Sequence, residues 1–255
     1  MILTLVLLAI GALLFLIIAY NIVQQYKQKV EQEKRSLVAK QKVIIDETDE
    51  LLLNANRIPY SKTLVLLMQQ RIHDALQLIQ DTDPSYRQLT QRLVDVKNQI
   101  ANIKENYTAQ DDKSFRAPSN DQQTVQMMKV LKKLRAVLRA EYNKGKIDPQ
   151  GYVAQDRRLE VMLLKLNLES LFKRAATAKM TKQWGTAKQQ ISKGIKVLSA
   201  MSDRDNYLNK KLQELQEMQK EIDTHLQQAS KQELQDIQDK ETNELDVLFQ
   251  PKKKW

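Results

Sequence analysis

Residues Ile2 to Tyr20, ILTLVLLAIGALLFLIIAY, carry no charged side chain. As a helix this run rises about 28 Å at ~1.5 Å per residue, close to the roughly 30 Å hydrocarbon core of a bilayer. The run therefore predicts a transmembrane helix over residues 1–21. A cleaved signal peptide fits less well, because no basic segment precedes the run, it exceeds the usual apolar core, and no Ala-x-Ala follows Ala19. Only Met1 precedes the span, whereas Lys27, Lys29, Lys34, Arg35, Lys40 and Lys42 follow it closely. That asymmetry predicts a single-pass protein of the inner (plasma) membrane, N-terminus outside and body cytoplasmic. The chain has no cysteine, which agrees with a reducing compartment.

Beyond the span, turn-forming material is scarce. Five Gly and five Pro in 255 residues, with 28 % charged residues, indicate long helices and an extended all-α body. Such a chain buries narrow stripes between helices and lacks the usual setting for an enclosed active site. Val23, Val30, Leu37, Ile44 and Leu51 recur every seven residues, with charged Glu33, Lys40 and Glu47 at the companion positions. This is half of a coiled-coil seam, widened by Val38, Ile45 and Leu52, and predicts a juxtamembrane helical stalk over 22–57 that pairs weakly or packs on the body. Ile58-Pro59-Tyr60 should break the helix, since proline disfavours helical geometry at the residue before it.

A helical hairpin is expected over 58–106. Its first helix carries Leu64, Leu67, Met68, Ile72, Ala75, Leu76 and Ile79, and its second Tyr86, Leu89, Leu93, Val96, Ile100 and Ile103. Asp83-Pro84 supplies start signals between them. Polar residues without apolar period predict a linker over 107–123, followed by a basic helical domain over 124–240 and a flexible docking tail over 241–255. Within the basic domain Gly145 suits a left-handed helix end and Asp148-Pro149 a new helix start.

Leu131, Leu134, Tyr142, Gly145, Ile147, Asp148, Tyr152 and Arg158, within residues 131–166, resemble the pattern of SHOCT-type oligomerisation hairpins. That resemblance implies a helical hairpin with an oligomerising role. Trp184, Ala187, Ile191, Gly194 and Leu198, within 174–200, are similar to a tetratricopeptide helix pair, although no regular 34-residue period runs through the chain. Ala75–Ile100 and Gly194–Ile222 echo each other imperfectly, each running from a small residue through an Asp-containing turn to a Tyr and a heptad helix.

Residues that carry chemistry are sparse. His73 and His225 sit on separate expected helices with no ligand-spaced partner, so no metal site is assigned. No Gly-rich phosphate loop, Gly-x-Ser-x-Gly or dinucleotide fingerprint occurs, and no cofactor is expected. Asp46, Glu47, Asp49 and Glu50 read as a solvated helix face rather than as paired acid and base. The expectation is a non-enzymatic protein.

Charge is regional. Between Asp121 and Ser199 there are 17 Lys and Arg against 6 Asp and Glu, and 17 minus 6 gives +11 beside a whole-chain charge of +10. Lys129, Lys132, Lys133, Arg135 and Arg139 share one helix, and Lys173, Arg174, Lys179, Lys182, Lys188, Lys193 and Lys196 follow with no acid among them. These twelve cations are the candidate anionic-surface contacts, for phospholipid or an acidic partner. In the tail, Leu245, Val247, Leu248 and Phe249 form a candidate docking turn, followed by Lys252, Lys253, Lys254 and Trp255. The same lysines beside a tryptophan also suit a phospholipid interface.

Together these features predict a membrane-anchored cytoplasmic scaffold or adaptor that recruits a protein partner and self-associates weakly. The layout is similar to bacterial cell-division membrane adaptors, which implies a role in division, polar organisation or motility. The alternative is a membrane-associated nucleic-acid-binding protein, although no recognition helix or stacking platform is evident.

Overall fold

The computed structural model describes the backbone of residues 2–84, 87–111, 115–118 and 120–249. The side chains of 2–14, Arg87 and 241–249 lie outside the description. The described residues form helices α1 (Ile2–Leu52), α2 (Lys62–Thr82), α3 (Arg87–Asn106), α4 (Asp121–Asn143), α5 (Pro149–Met180), α6 (Trp184–Ser199) and α7 (Asn206–Phe249), with a short 3-10 turn at Leu53–Asn56. No strand occurs among them, so the fold is all-α. Among the described residues no helix is long and apolar enough to cross a membrane. Most of the expected 1–21 anchor falls on side chains outside them.

The helices divide between two compact units. The first comprises Met1–Arg116 and Lys129–Leu159, the second Ala117–Met128 and Glu160–Trp255. This partition departs from the composition breaks in the sequence: most of α4 and the start of α5, expected in a basic domain with α6, belong to the first unit.

In the first unit α1, α2 and α3 share a core of Val38, Ile45, Ile72, Ala75, Leu76, Ile79, Leu93 and Val96. The Lys62 ammonium near the start of α2 donates to the Lys104 carbonyl near the end of α3 at 2.6 Å, so the two helices run antiparallel, as the hairpin expectation has it. The α1 seam differs from the seven-residue pattern. Val23 is exposed and Val30, Leu37 and Ile44 are half-buried, whereas Val38, Ile45, Thr48 and Leu51 are buried. The cause is the partner: α1 packs on α2 through its last turns, and the face turned toward Ile72, Leu76 and Ile79 begins at Val38, one position past the heptad residue Leu37.

The break after α1 is built as Pro59 requires. The amides of Arg57 and Ile58 both donate to the Asn54 carbonyl at 3.0 Å, and the buried Tyr60 hydroxyl donates to the Leu51 carbonyl at 2.6 Å. That bond satisfies one of the carbonyls a helix end leaves without an intrahelical partner. Burial pushes the Tyr60 phenol far above its ordinary pKa, so it stays a donor. Ser61 then caps α2 by accepting from the Leu64 amide at 3.1 Å. The segment expected as a linker is fastened at two points: the Tyr107 hydroxyl donates to the Tyr60 carbonyl at 2.9 Å, and Phe115 is buried.

The second unit is built around Leu168, Leu171, Ala175, Ala178, Ala187, Ile191, Leu198, Leu208, Leu215 and Ile222, from α5, α6 and α7. Gly194 allows the close approach. A Cβ there would lie 2.9 Å from Leu215 Cδ1 and 3.1 Å from Leu171 Cδ2. The start of α7 is capped by Asp205, which accepts from the Leu208 amide at 2.8 Å and pairs with the Lys165 ammonium at 2.7 Å. Burial alone would raise this carboxyl, but Lys165 and the backbone donors outweigh it and hold Asp205 below the usual carboxylate range.

Two helices end in the same six-residue closure. After α4 the Gly145 amide donates to the Tyr142 carbonyl at 2.9 Å and the Lys146 amide to Glu141 at 3.0 Å; after α5 Lys182 donates to Lys179 at 3.1 Å and Gln183 to Ala178 at 2.8 Å. Both are Schellman closures, which place one residue in the left-handed region. Gly145 takes φ 71° there without a Cβ penalty, but Lys182 must take φ 57° with one. Lys182→Gly is therefore expected to stabilise the second unit by about 1 kcal/mol, read as a higher urea midpoint at unchanged slope. A lower midpoint would show that the Lys182 side chain contributes more than its backbone costs.

Candidate functional site

The twelve cations singled out in the sequence do not form one set. Lys129, Lys132, Lys133, Arg135 and Arg139 belong to the first unit, and Lys173, Arg174, Lys179, Lys182, Lys188, Lys193 and Lys196 to the second. Several are engaged within their own unit. Arg135 makes a two-pronged contact with Asp156 at 2.7 and 2.8 Å, and Lys133 lies 3.5 Å from Glu50. In the second unit Lys173 reaches Asp121 at 3.1 Å, Lys188 reaches Asp223 at 2.8 Å, and Lys179 pairs with Glu221. Arg174 donates to the Ser170 carbonyl at 3.2 Å.

Lys129, Lys132 and Arg139 remain on the outer face of α4, opposite the buried Leu131, Leu134 and Leu138. Residues three and four apart share a helix face, and between Lys129 and Arg139 this one also carries Lys133 and Ala136 and no acid. On α6, Lys193 and Lys196 lie opposite the buried Ala187, Ile191 and Leu198, and Lys182 is exposed at the turn before it. Each unit thus presents solvated cations, suited to salt-dependent contact with an anionic surface.

The most structured polar cluster is one the sequence reading did not single out. Arg71 is buried on α2, where Nη1 contacts the buried Glu141 carboxylate of α4 at 2.9 Å, Nε donates to Thr48 Oγ1 on α1 at 3.1 Å, and Nη2 lies 3.4 Å from Glu47. Thr48 donates onward to the Ile44 carbonyl at 2.6 Å, and Lys144 contacts Glu141 at 2.7 Å. One guanidinium therefore ties α1, α2 and α4. The carboxylates expected as a solvated face take part in such ties: Glu47 with Arg71, Asp49 with Arg92 and Glu50 with Lys133.

Beside this cluster an open groove of about 640 Å³ is lined by Gln41, Ile44, Arg71, Asp74, Glu141 and Lys146, among others. Its charges answer one another. Lys146 pairs with Asp74 at 2.8 Å, and Gln70 donates to the same carboxylate at 2.8 Å. Burial would raise Asp74, but the hydrogen bonds from Lys146, Gln70 and His73 prevail and hold it below the ordinary carboxylate range. Bonding to Asp74 raises Lys146 in turn. A groove whose acids and bases are mutually neutralised has little spare potential to attract a charged ligand.

The histidines have ordinary surroundings. His73 lies 3.3 Å from Asp74, and His225 stacks on Trp184 with ring centroids 4.0 Å apart. No cluster of three metal-ligating side chains occurs among the described residues. In the tail, α7 continues through Phe249, but the side chains of Leu245, Val247, Leu248 and Phe249 and all of Lys252, Lys253, Lys254 and Trp255 lie outside the described residues. Comparison with protein-family models, curated proteins and solved structures gives no match.

Proposed function

We propose that the chain is a single-pass inner-membrane scaffold, non-enzymatic, whose helical cytoplasmic body organises protein partners at the membrane. The observation that supports this most is the continuity of α1, in which the uncharged Ile2–Tyr20 and the buried Val38, Ile45 and Leu51 belong to one uninterrupted helix. A span joined to a body through a helix embedded in that body's core transmits position without a flexible hinge. Exposed Tyr20 ends the apolar run and exposed Tyr26 follows it, where membrane proteins place interfacial aromatics. The solvated cations of α4 and α6 suit the anionic inner leaflet. Division, polar organisation and motility are the processes in which such adaptors serve.

The test uses the full chain in bacterial cells. A reporter active only in the cytoplasm, fused after Trp255, is expected to work, and the chain should stay with the membrane through alkaline carbonate washing until Ile2–Tyr20 is deleted. Release of the intact chain by carbonate would overturn the anchor. Activity of an export-dependent reporter at the same position would overturn the orientation.

A further inference from the structure

Helix α7 changes character after Leu226. Up to that residue it buries Leu208, Leu215 and Ile222 in the second unit's core, with Leu212, Met218 and Leu226 packed against them. From Gln227 to Lys240 every residue is exposed, although the helix continues unbroken to Phe249. Leu234 and Ile237 are 58 % and 48 % exposed. They extend the spacing of three and four begun at Leu226, interrupted by Ser230, so an apolar stripe leaves the core and continues into solvent.

The charge of this extension is opposite to that of the chain. Gln227–Lys240 contains Glu233, Asp236 and Asp239 against Lys231 and Lys240, and 2 minus 3 gives −1; with Glu241, Glu244 and Asp246 the stretch to Phe249 reaches −4, in a protein of net charge +10. Glu233 and Asp236 flank the Leu234–Ile237 stripe on one side by helical angle. Two such extensions laid together would repel. The fitting counterpart is an exposed helix face rich in cations, and the part of α4 that belongs to the first unit has one: Lys129, Lys132, Lys133 and Arg139 around the small Ala136.

We propose that the distal half of α7 is a homotypic docking helix that seats its exposed Leu234 and Ile237, with Glu233 and Asp236, along the cationic outer face of α4 of a second copy of this chain. Within the scaffold reading this makes the chain one of its own partners, but the contact needs neither the anchor nor a lipid. Reciprocal exchange of two α7 extensions closes a dimer, and one-way exchange builds a chain of copies. Because the contact joins opposite charges around a narrow apolar stripe, it weakens as salt rises.

The test measures the mass of the full chain in neutral detergent at low and high salt by light scattering, for the natural protein, for Glu233→Lys with Asp236→Lys, and for Lys129→Glu with Lys132→Glu and Arg139→Glu. The natural protein should self-associate at low salt, each reversed variant should do so about tenfold or more weakly, and an equimolar mixture of the two should regain association. Regain on mixing also shows that both variants are folded. A natural protein that stays monomeric at low salt overturns the proposal, as does association unchanged by either reversal. Reversed variants that remain weak when mixed overturn it too. So does a natural chain that is monomeric in neutral detergent and associates only on anionic lipid, since the α4 face would then belong to the membrane.

Discussion

Glu141→Ala is expected to cost the first unit about 3–5 kcal/mol, the usual consequence of leaving a buried charge without its partner. The Arg71 side chain is 9 % exposed and that of Glu141 4 %, at 2.9 Å. Removing the carboxylate leaves the guanidinium with the Thr48 hydroxyl and the more distant, partly solvated Glu47. The effect should appear as a urea midpoint shift at unchanged slope. Replacing both residues with apolar ones of similar size, Arg71→Met with Glu141→Leu, should recover most of the loss, because buried ion pairs are often no more stable than well-packed apolar substitutes. A single-variant cost below about 1 kcal/mol would mean that the pair behaves as a surface salt bridge.

Ile191→Ala should destabilise the second unit by about 2–5 kcal/mol. Ile191 is fully buried among α5, α6 and α7. The cost should fall in the upper half of that range, because the neighbouring Gly194 backbone already lies against Leu171 and Leu215 and the helices have little room to close over a cavity. Alanine's better helix propensity offsets only a few tenths of a kcal/mol. Val197→Ala, on the exposed side of the same helix, should stay within about 0.5 kcal/mol of the natural protein. Hydrogen exchange of the α6 amides distinguishes the two, with protection lost in the first variant and kept in the second. Equal effects would show that α6 packs less specifically than its burial implies.

Much of the fold was legible because helices announce themselves through apolar period and end residues. The Pro59 break, the α2–α3 hairpin, the left-handed Gly145 and the Asp148-Pro149 start of α5 all follow from local chemistry that tertiary packing did not override. The α1 seam was not legible in detail. A period of seven gives two adjacent rows, Leu37–Ile44–Leu51 and Val38–Ile45–Leu52, and packing buries Val38 and Ile45 of the second but Leu51 of the first. The unit boundary was also hidden, since composition changes near residue 123 while packing divides α4 after Met128 and α5 after Leu159.

The Arg71 cluster left a signal that can be read afterwards. Arg71 stands between Met68 and Ala75, Glu141 continues Leu134 and Leu138, and Thr48 follows Ile45. Each is a polar residue at a position of an apolar stripe, and three such interruptions on three helices mark groups that must find one another, since a buried charge without a partner is costly. Lys182 left no such mark. Its left-handed geometry follows from where α5 and α6 meet, and no glycine or asparagine stands there to show it.

The uninterrupted course of α1 also sets an angular phase. Each residue of an α-helix turns the chain by about 100° and advances it by ~1.5 Å, so the azimuth at which Phe15–Tyr26 faces its surroundings is locked to the azimuth of the embedded Val38, Ile45 and Thr48. The stretch from Phe15 to Val38 acts as a ruler of about 35 Å with a fixed twist. Inserting a single residue there would swing the first unit by more than a quarter of a turn about the helix axis while barely changing its distance from the N-terminal segment, whereas seven residues would lengthen the ruler and nearly restore the bearing.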